Sequence, residues 1–355
     1  MPRWTLAVPV AAAALLAVAL ALPGSAVMLW LCVPALIGAV LAAVHHAEVV
    51  AHRVGEPFGT LVLAVAVTVI EVALIVSVML SGGVSKAALP RDTIFAAVMI
   101  ICNGVVGVCL LLGGLRHHEQ SFHLEAANSS LAVLIALSTL SLVLPSFTIS
   151  SPGASYTVAQ LSFAAVVSLV LWAVFLFFQT VSHRDYFLPS GSAADQSAHA
   201  APPSLRQTWA SFGLLLLALV VVVGLAKVLS PSIERAVKAA GAPEAVIGIA
   251  IALLVLLPET WAAVRAARAN RLQTSLNLAL GSALASIGLT IPAVALASVQ
   301  LDLPLALGLA PKDLVLLTLT FLVSSITLVS GRTTMMQGAV HLVVFATFLF
   351  LALVP

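Results

Sequence analysis

Two acidic residues, Glu71 and Glu259, each stand alone in a long apolar stretch, "AVTVIEVALIVSV" (66–78) and "LLVLLPETWAAV" (253–264). A carboxylate at the centre of a bilayer costs about 2.5–3.5 kcal/mol on insertion scales. That cost is offset when a proton neutralises the charge or when a cation binds to it. Two carboxylates with further oxygen ligands suit a hard cation such as Ca²⁺. The pair therefore predicts one site that holds a cation or protons in turn, as in a proton-driven exchanger.

The stretch that follows each acid, "FAAVMIICNGVVGVCLLLGGLR" (95–116) and "LQTSLNLALGSALASIGLTIP" (272–292), is rich in small and polar residues. Small residues allow close helix packing, and Asn or Ser side chains add neutral oxygen ligands or join helices by hydrogen bonds. Both roles stay open for the candidate secondary ligands Asn103, Asn277, Ser282 and Ser286. Pro258 also frees a backbone carbonyl beside Glu259, because proline removes one helical hydrogen bond.

Histidines form two groups near predicted helix ends, and these are His45, His46 and His52, then His117, His118 and His123. Because histidine titrates near neutral pH, these six residues are candidate pH sensors. They also leave open a membrane-embedded di-metal oxidoreductase, although the spacings HHx₅H and HHx₄H differ from the usual HxxHH. A passive cation channel is a further alternative, but two isolated acids, in place of a ring of acids or carbonyls, favour a transporter.

The elements that must position these residues are membrane helices. Of the 355 residues, 62% are hydrophobic and 8% charged, whereas a soluble domain carries about 25% charged residues. The apolar runs are continuous, which indicates helices spanning the bilayer. The sequence thus predicts an all-α polytopic membrane protein with eleven spans, at 6–22, 27–47, 57–80, 92–115, 128–145, 156–181, 209–230, 243–264, 272–298, 312–330 and 335–354.

A polar segment, 183–208, divides the chain and predicts a flexible cytoplasmic linker. The predicted organisation is an N-terminal helix (1–26), a five-helix repeat (27–182), the linker and a second five-helix repeat (209–355). An odd number of spans inverts the second repeat, which is the plan of many secondary transporters. The first run also resembles a cleavable signal peptide, but we favour a retained helix.

Lys and Arg set the expected orientation. The side that holds the N-terminus carries nine Arg residues, and the opposite side carries five Lys and Arg residues, with Lys227 near a span end. We therefore expect a cytoplasmic N-terminus and an external C-terminus. The sequence has no basic tract of the kind that binds nucleic acid. It also has no nucleotide-binding loop, which argues against an ATP-driven pump. The expected partners are the lipid bilayer, inorganic cations and protons, with no cofactor and no enzymatic activity.

Four stretches together resemble the calcium/cation antiporter superfamily, specifically the bacterial ChaA-type members of its calcium/proton exchanger branch: "HHAEVVAHRVGEPFGTLVLAVAVTVIEVALIVSVML", "RDTIFAAVMIICNGVVGVCLLLGGLR", "PETWAAVRAARANRLQTSLNLALGSALASIGLTIP" and "GRTTMMQGAVHLVVFA". The resemblance implies a bacterial inner-membrane antiporter that exchanges cytoplasmic Ca²⁺, or Na⁺ or K⁺, for external H⁺ by alternating access. It places one acid of the ion site in each repeat, Glu71 and Glu259, and Gly281-Ser282 matches the family's Gly-Ser. The linker departs from the pattern, since it carries only two acids, Asp185 and Asp195.

Overall fold

The computed structural model describes residues 3–22, 26–55, 58–188 and 203–354. Within these ranges, eleven helices are long and apolar enough to cross a membrane. This confirms the predicted all-α polytopic fold. The helices are α1 (Arg3–Ala21), α2 (Ala26–Val54), α3 (Phe58–Gly82), α4 (Leu89–His117), α5 (Leu124–Ser146), α6 (Val158–Ser182), α7 (Leu205–Ala239), α8 (Ala245–Arg268), α9 (Leu272–Gln300), α10 (Pro311–Leu328) and α11 (Met335–Leu353).

Two helices extend well past their predicted ends. Helix α2 continues to Val54 and α7 to Ala239, whereas the apolar runs end near 47 and 230. An apolar run measures the hydrocarbon thickness, and a helix can continue beyond it with polar residues. The predicted span ends at 230, but Pro231 does not end α7, because membrane helices tolerate proline.

At each end of the bundle, hydrogen bonds join connections that are distant in the sequence. At the A end, where α1 begins, two short strands pair antiparallel, β1 (Gln120–Ser121) after α4 and β2 (Arg332–Thr333) before α11. At the opposite B end, the segment before α10 is held by backbone hydrogen bonds from Ala306 to Ala87, from Gly308 to Ala154 and from Leu309 to Leu142. The A end thus holds the connections between α4 and α5 and between α10 and α11.

The buried apolar side chains form two clusters. One joins α4, α5 and α6 to α9, α10 and α11, and α4 is the most enclosed helix among the described spans. The other joins α1, α2, α3 and α7. Helix α8 contributes to both clusters, for example through Leu256 to the first and Val255 to the second. The helix that carries Glu259 therefore lies at the boundary between two packed groups.

The predicted linker is described only at its flanks, because residues 189–202 lie outside the described ranges. On one flank, Arg184–Phe187 form a single helical turn, and the Phe187 carbonyl accepts a 2.6 Å hydrogen bond from Asn277. On the other flank, Ser204 and Gln207 form a capping box at the start of α7. The division into two repeats stays a prediction.

Candidate functional site

Glu71 lies in the middle of α3 and is buried, with 2% of its surface exposed. The Thr290 hydroxyl on α9 donates a 2.7 Å hydrogen bond to its Oε2 atom. Ser286, one turn earlier on α9, faces the same carboxylate. A hydrogen bond to an ionised acceptor is stronger than one between neutral groups. The α9 helix therefore supplies hydroxyl partners to the acid of α3. Of these, Ser286 was expected from the sequence and Thr290 was not.

Glu259 lies on α8 and lines a cavity of about 460 Å³. Its Oε2 atom is buried and has no hydrogen-bond partner among the described residues. An unpaired buried acceptor costs about 1–3 kcal/mol, and more when it is charged. The two acids thus differ, since the Glu71 carboxylate is hydrogen-bonded to protein and one oxygen of Glu259 is not.

The cavity extends from the A end of the bundle to Glu259. Its wall comes from the A-end parts of α2, α3, α6 and α9 together with α8, and it includes Gly59 at the start of α3 and Trp172 on α6. Two predicted ligands, Asn277 and Ser282, also line it. Asn277 donates to the Phe187 carbonyl and accepts a 2.8 Å hydrogen bond from Gln273, so it shapes the mouth of the cavity.

The two acids are close enough to interact electrostatically, and Glu259 interacts in the same way with Glu48 of α2. Glu48 also interacts with Arg265 on α8. With a rise of roughly 1.5 Å per residue, Arg265, Glu48, Glu259 and Glu71 lie about 4, 9, 13 and 20 Å from the A ends of their helices. Of these four residues, Glu259 lines the cavity, and Arg265 and Glu48 lie nearer the A ends of their helices. Glu48 was not among the residues expected at the site, because nothing in the sequence shows that α2 packs beside α8.

Asn103 is engaged elsewhere in the bundle. Its amide donates to the Thr320 hydroxyl at 2.8 Å, and its Oδ1 atom lies 3.2 Å from Nδ1 of His341. The other ring nitrogen of His341 lies 3.1 Å from the Thr327 hydroxyl. Asn103 sits in a π-helical turn of α4, Ile100–Val105. The hydrogen bonds of Asn103 therefore join α4 to α10 and α11, and the structure does not bring it to the acids.

The first histidine group is split between three environments. His46 is fully buried, with Nε2 2.9 Å from the Thr5 carbonyl and Nδ1 3.2 Å from the Ser211 hydroxyl, so it joins α1, α2 and α7. The Nδ1 atom of His45 lies 4.0 Å from the Glu48 carboxylate. His52 lines the cavity.

The second histidine group lies at the connection between α4 and α5. His117 Nε2 lies 3.1 Å from the Arg268 carbonyl, and the backbone NH of His123 donates to Gln273. His118 adopts a positive φ of 66°. Over the described ranges, no three His, Cys, Asp or Glu side chains form a group that could hold a metal ion. The His groups therefore contact helix ends and neighbouring helices, and their role in pH sensing stays a prediction.

Comparison with known proteins identifies relatives over the whole chain. The family model described as sodium/calcium exchanger protein matches residues 24–181 and 210–354. The putative ionic transporter y4hA of Sinorhizobium fredii (strain NBRC 101917 / NGR234) is 52% identical over 100% of this chain and 97% of its own. The sodium-potassium/proton antiporter ChaA of Escherichia coli (strain K12) is 33% identical over 86% of this chain and 83% of its own. A solved structure of the Ca²⁺/H⁺ antiporter YfkE has the same fold, with a TM-score of 0.73 and 17% identity over 99% of this chain and 100% of that one.

Proposed function

The chain belongs to the family of sodium/calcium exchanger proteins, and from this we propose that it is a secondary antiporter that exchanges a cation for protons at Glu71 and Glu259. The observation that carries the proposal is the pairing of a buried acid with an acid at the end of a cavity. Each carboxylate must be neutralised by a proton or by a cation, because an isolated charge is costly in a membrane. Occupation by one ion then excludes the other, which is the requirement for exchange.

The oxygen atoms around the two acids favour a hard cation. The two carboxylates and the hydroxyls of Thr290 and Ser286 together provide an all-oxygen set of the kind that Ca²⁺ prefers. The relatives point to the same group of ions, since one is a sodium-potassium/proton antiporter and another a Ca²⁺/H⁺ antiporter. We propose Ca²⁺ as the first substrate to test, followed by Na⁺ and K⁺.

The position of the cavity indicates the side from which the cation would enter. Nine Arg residues lie at the A end, against five Lys and Arg residues at the B end, so the positive-inside rule favours a cytoplasmic A end. The cavity would then admit the cytoplasmic cation to Glu259. An inward proton gradient would drive export of that cation across the bacterial inner membrane.

The two halves would form inverted repeats around this site. Helices α3 and α8 hold equivalent positions in the two predicted repeats, and each carries one acid. The packing is consistent with this relation, because α4 packs on α11 as its counterpart α9 packs on α6. In such transporters, alternating access is largely a movement of one group of helices against another around a fixed site.

The test uses everted membrane vesicles with an imposed proton gradient. Ca²⁺, Na⁺ or K⁺ is added in turn, and dissipation of the gradient is followed for wild type, Glu71→Gln and Glu259→Gln. Glu125→Gln is the matched control, because Glu125 is an exposed acid in the first turn of α5. We expect one or more cations to dissipate the gradient in wild type and control, and neither site variant to respond.

Two results would contradict the proposal. If both site variants still exchange, the acids are structural. If the cation moves down its own gradient without moving protons, the protein is a channel. Metal analysis of the purified protein addresses the oxidoreductase alternative, which requires two tightly bound metal ions per chain.

A further inference from the structure

The B end of the bundle contains an ion pair between a buried lysine and a half-exposed glutamate, which lie in two different connections. The Lys86 Nζ atom lies 3.0 Å from Oε1 of Glu244, and only 3% of the Lys86 side chain is exposed. Lys86 ends a 3₁₀ turn, Gly83–Lys86, between α3 and α4, and Glu244 immediately precedes α8. The pair therefore fastens the start of the Glu259 helix to the corner that follows the Glu71 helix.

The surrounding packing holds this corner closed. Gly82 leaves room for the Lys86 stem, since a side chain at Gly82 would collide with it. Gly248, one turn into α8, approaches the backbone of α4 so closely that an added Cβ would lie 2.9 Å from the Asp92 carbonyl carbon. Asp92 in turn pairs with Arg91 at 2.8 Å. The first turns of α4 and α8 thus meet without an intervening side chain on α8.

The same helices line the cavity at the A end. There, Gly59 and Val67 of α3 and Glu259 of α8 all face the 460 Å³ cavity. Helix α8 is therefore fastened to the corner after α3 at the B end and lies across the cavity from α3 toward the A end. Opening the ion site toward the B end would require the fastened contact to separate.

We infer that the Lys86–Glu244 ion pair is a latch that keeps the ion site closed at the B end. This inference rests on the proposed function, because a latch has a use only in a protein that opens alternately to its two sides. Removing the Glu244 carboxylate leaves the buried Lys86 charge without compensation, which is costly, although Glu244 itself is half exposed. The Lys86–Glu244 pair lies between two connections, away from both acids. It would therefore act in the conformational change and not in ion coordination.

The test measures exposure of a buried position with no need for transport. Val78 lies two turns beyond Glu71 on the same face of α3, toward the B end, and is 5% exposed. The variant Val78→Cys is reconstituted in nanodiscs, where both faces are accessible, and its alkylation by a membrane-impermeant maleimide is timed. The native cysteines Cys32, Cys102 and Cys109 are fully buried and give the background rate.

We expect Glu244→Gln and Lys86→Gln each to accelerate labelling about fivefold, the ratio for loss of a modest ion pair. The charge swap Lys86→Glu with Glu244→Lys should restore the slow rate. Lys238→Gln is the matched control, an exposed cation in the last turn of α7 near the same corner, and it should leave the rate unchanged.

Unchanged labelling in both single variants would overturn the inference, as would a charge swap that labels as fast as they do. Because labelling needs no substrate, it separates the two proposals. Faster labelling in a protein that shows no cation-dependent proton movement would support the latch and refute the exchanger.

Discussion

Replacing Thr290 with valine removes the hydroxyl that donates to Glu71 and keeps the shape of the side chain. Both groups are buried, and the hydrogen bond measures 2.7 Å. A hydrogen bond to a charged group contributes about 1.5–3 kcal/mol. The bond stabilises the ionised carboxylate, which is the form that binds a cation. Its loss should therefore raise the KM for the cation about ten- to hundredfold at constant pH.

The measurement is the KM for the responding cation in everted vesicles, with the maximal rate recorded beside it. Thr290→Ser keeps the hydroxyl and should retain a KM near that of wild type. Thr93→Val is the matched control, because Thr93 is equally buried and its hydroxyl donates only to the Leu89 carbonyl of its own helix. An unchanged KM in Thr290→Val, with exchange intact, would refute the assignment of Glu71 and Thr290 to the ion site.

Three further outcomes are expected. Glu48→Gln should raise the KM for the cation presented at the A end about fivefold and leave the maximal rate unchanged, because it removes a negative charge that acts on Glu259; an equal KM would exclude a role for Glu48 in attracting the cation. Gly288→Ala should destabilise the protein by about 1–3 kcal/mol, because a Cβ there would lie 2.6 Å from Trp172. A Cβ at Gly281 would meet open space, so Gly281→Ala should leave the melting temperature in detergent unchanged. His46→Ala should weaken attachment of α1, seen as faster proteolysis of that helix; an unchanged cleavage rate would contradict this role.

The number of helices and the placement of the two acids within spans could be predicted from the sequence, because apolar length and an isolated carboxylate are local signals. Thr290 could also have been found, since it continues the four-residue spacing of Ser282 and Ser286 along one face of α9. Nothing local pointed to Glu48, whose importance depends on which face of α2 meets α8. Membrane helices are apolar on most faces, so periodicity does not reveal their partners.

Asn103 illustrates the opposite case. Its residue type and its position in the helix after Glu71 left open an ion ligand or a hydrogen bond between helices, and in the structure its amide bonds to Thr320 and its Oδ1 faces His341. The π-helical turn, Ile100–Val105, inserts one extra residue into that part of α4. Such a turn changes the direction of every later side chain on the helix, and the sequence gives no sign of it. The hydrogen-bond partner of a polar residue in a membrane helix can therefore be predicted only when the direction of its side chain is known.

The short β1–β2 ladder at the A end has a mechanical consequence. It joins the corner between α4 and α5 to the corner between α10 and α11, so two distant parts of the chain are hydrogen-bonded to each other at the A end. Helices α1, α2, α3 and α7 take no part in this ladder and share a separate apolar cluster. In an alternating-access cycle, the helices joined by the ladder would stay together, and the group of α1, α2, α3 and α7 would move against them. A disulfide across the ladder should then leave the transport rate unchanged, whereas a disulfide between the two groups of helices should stop transport.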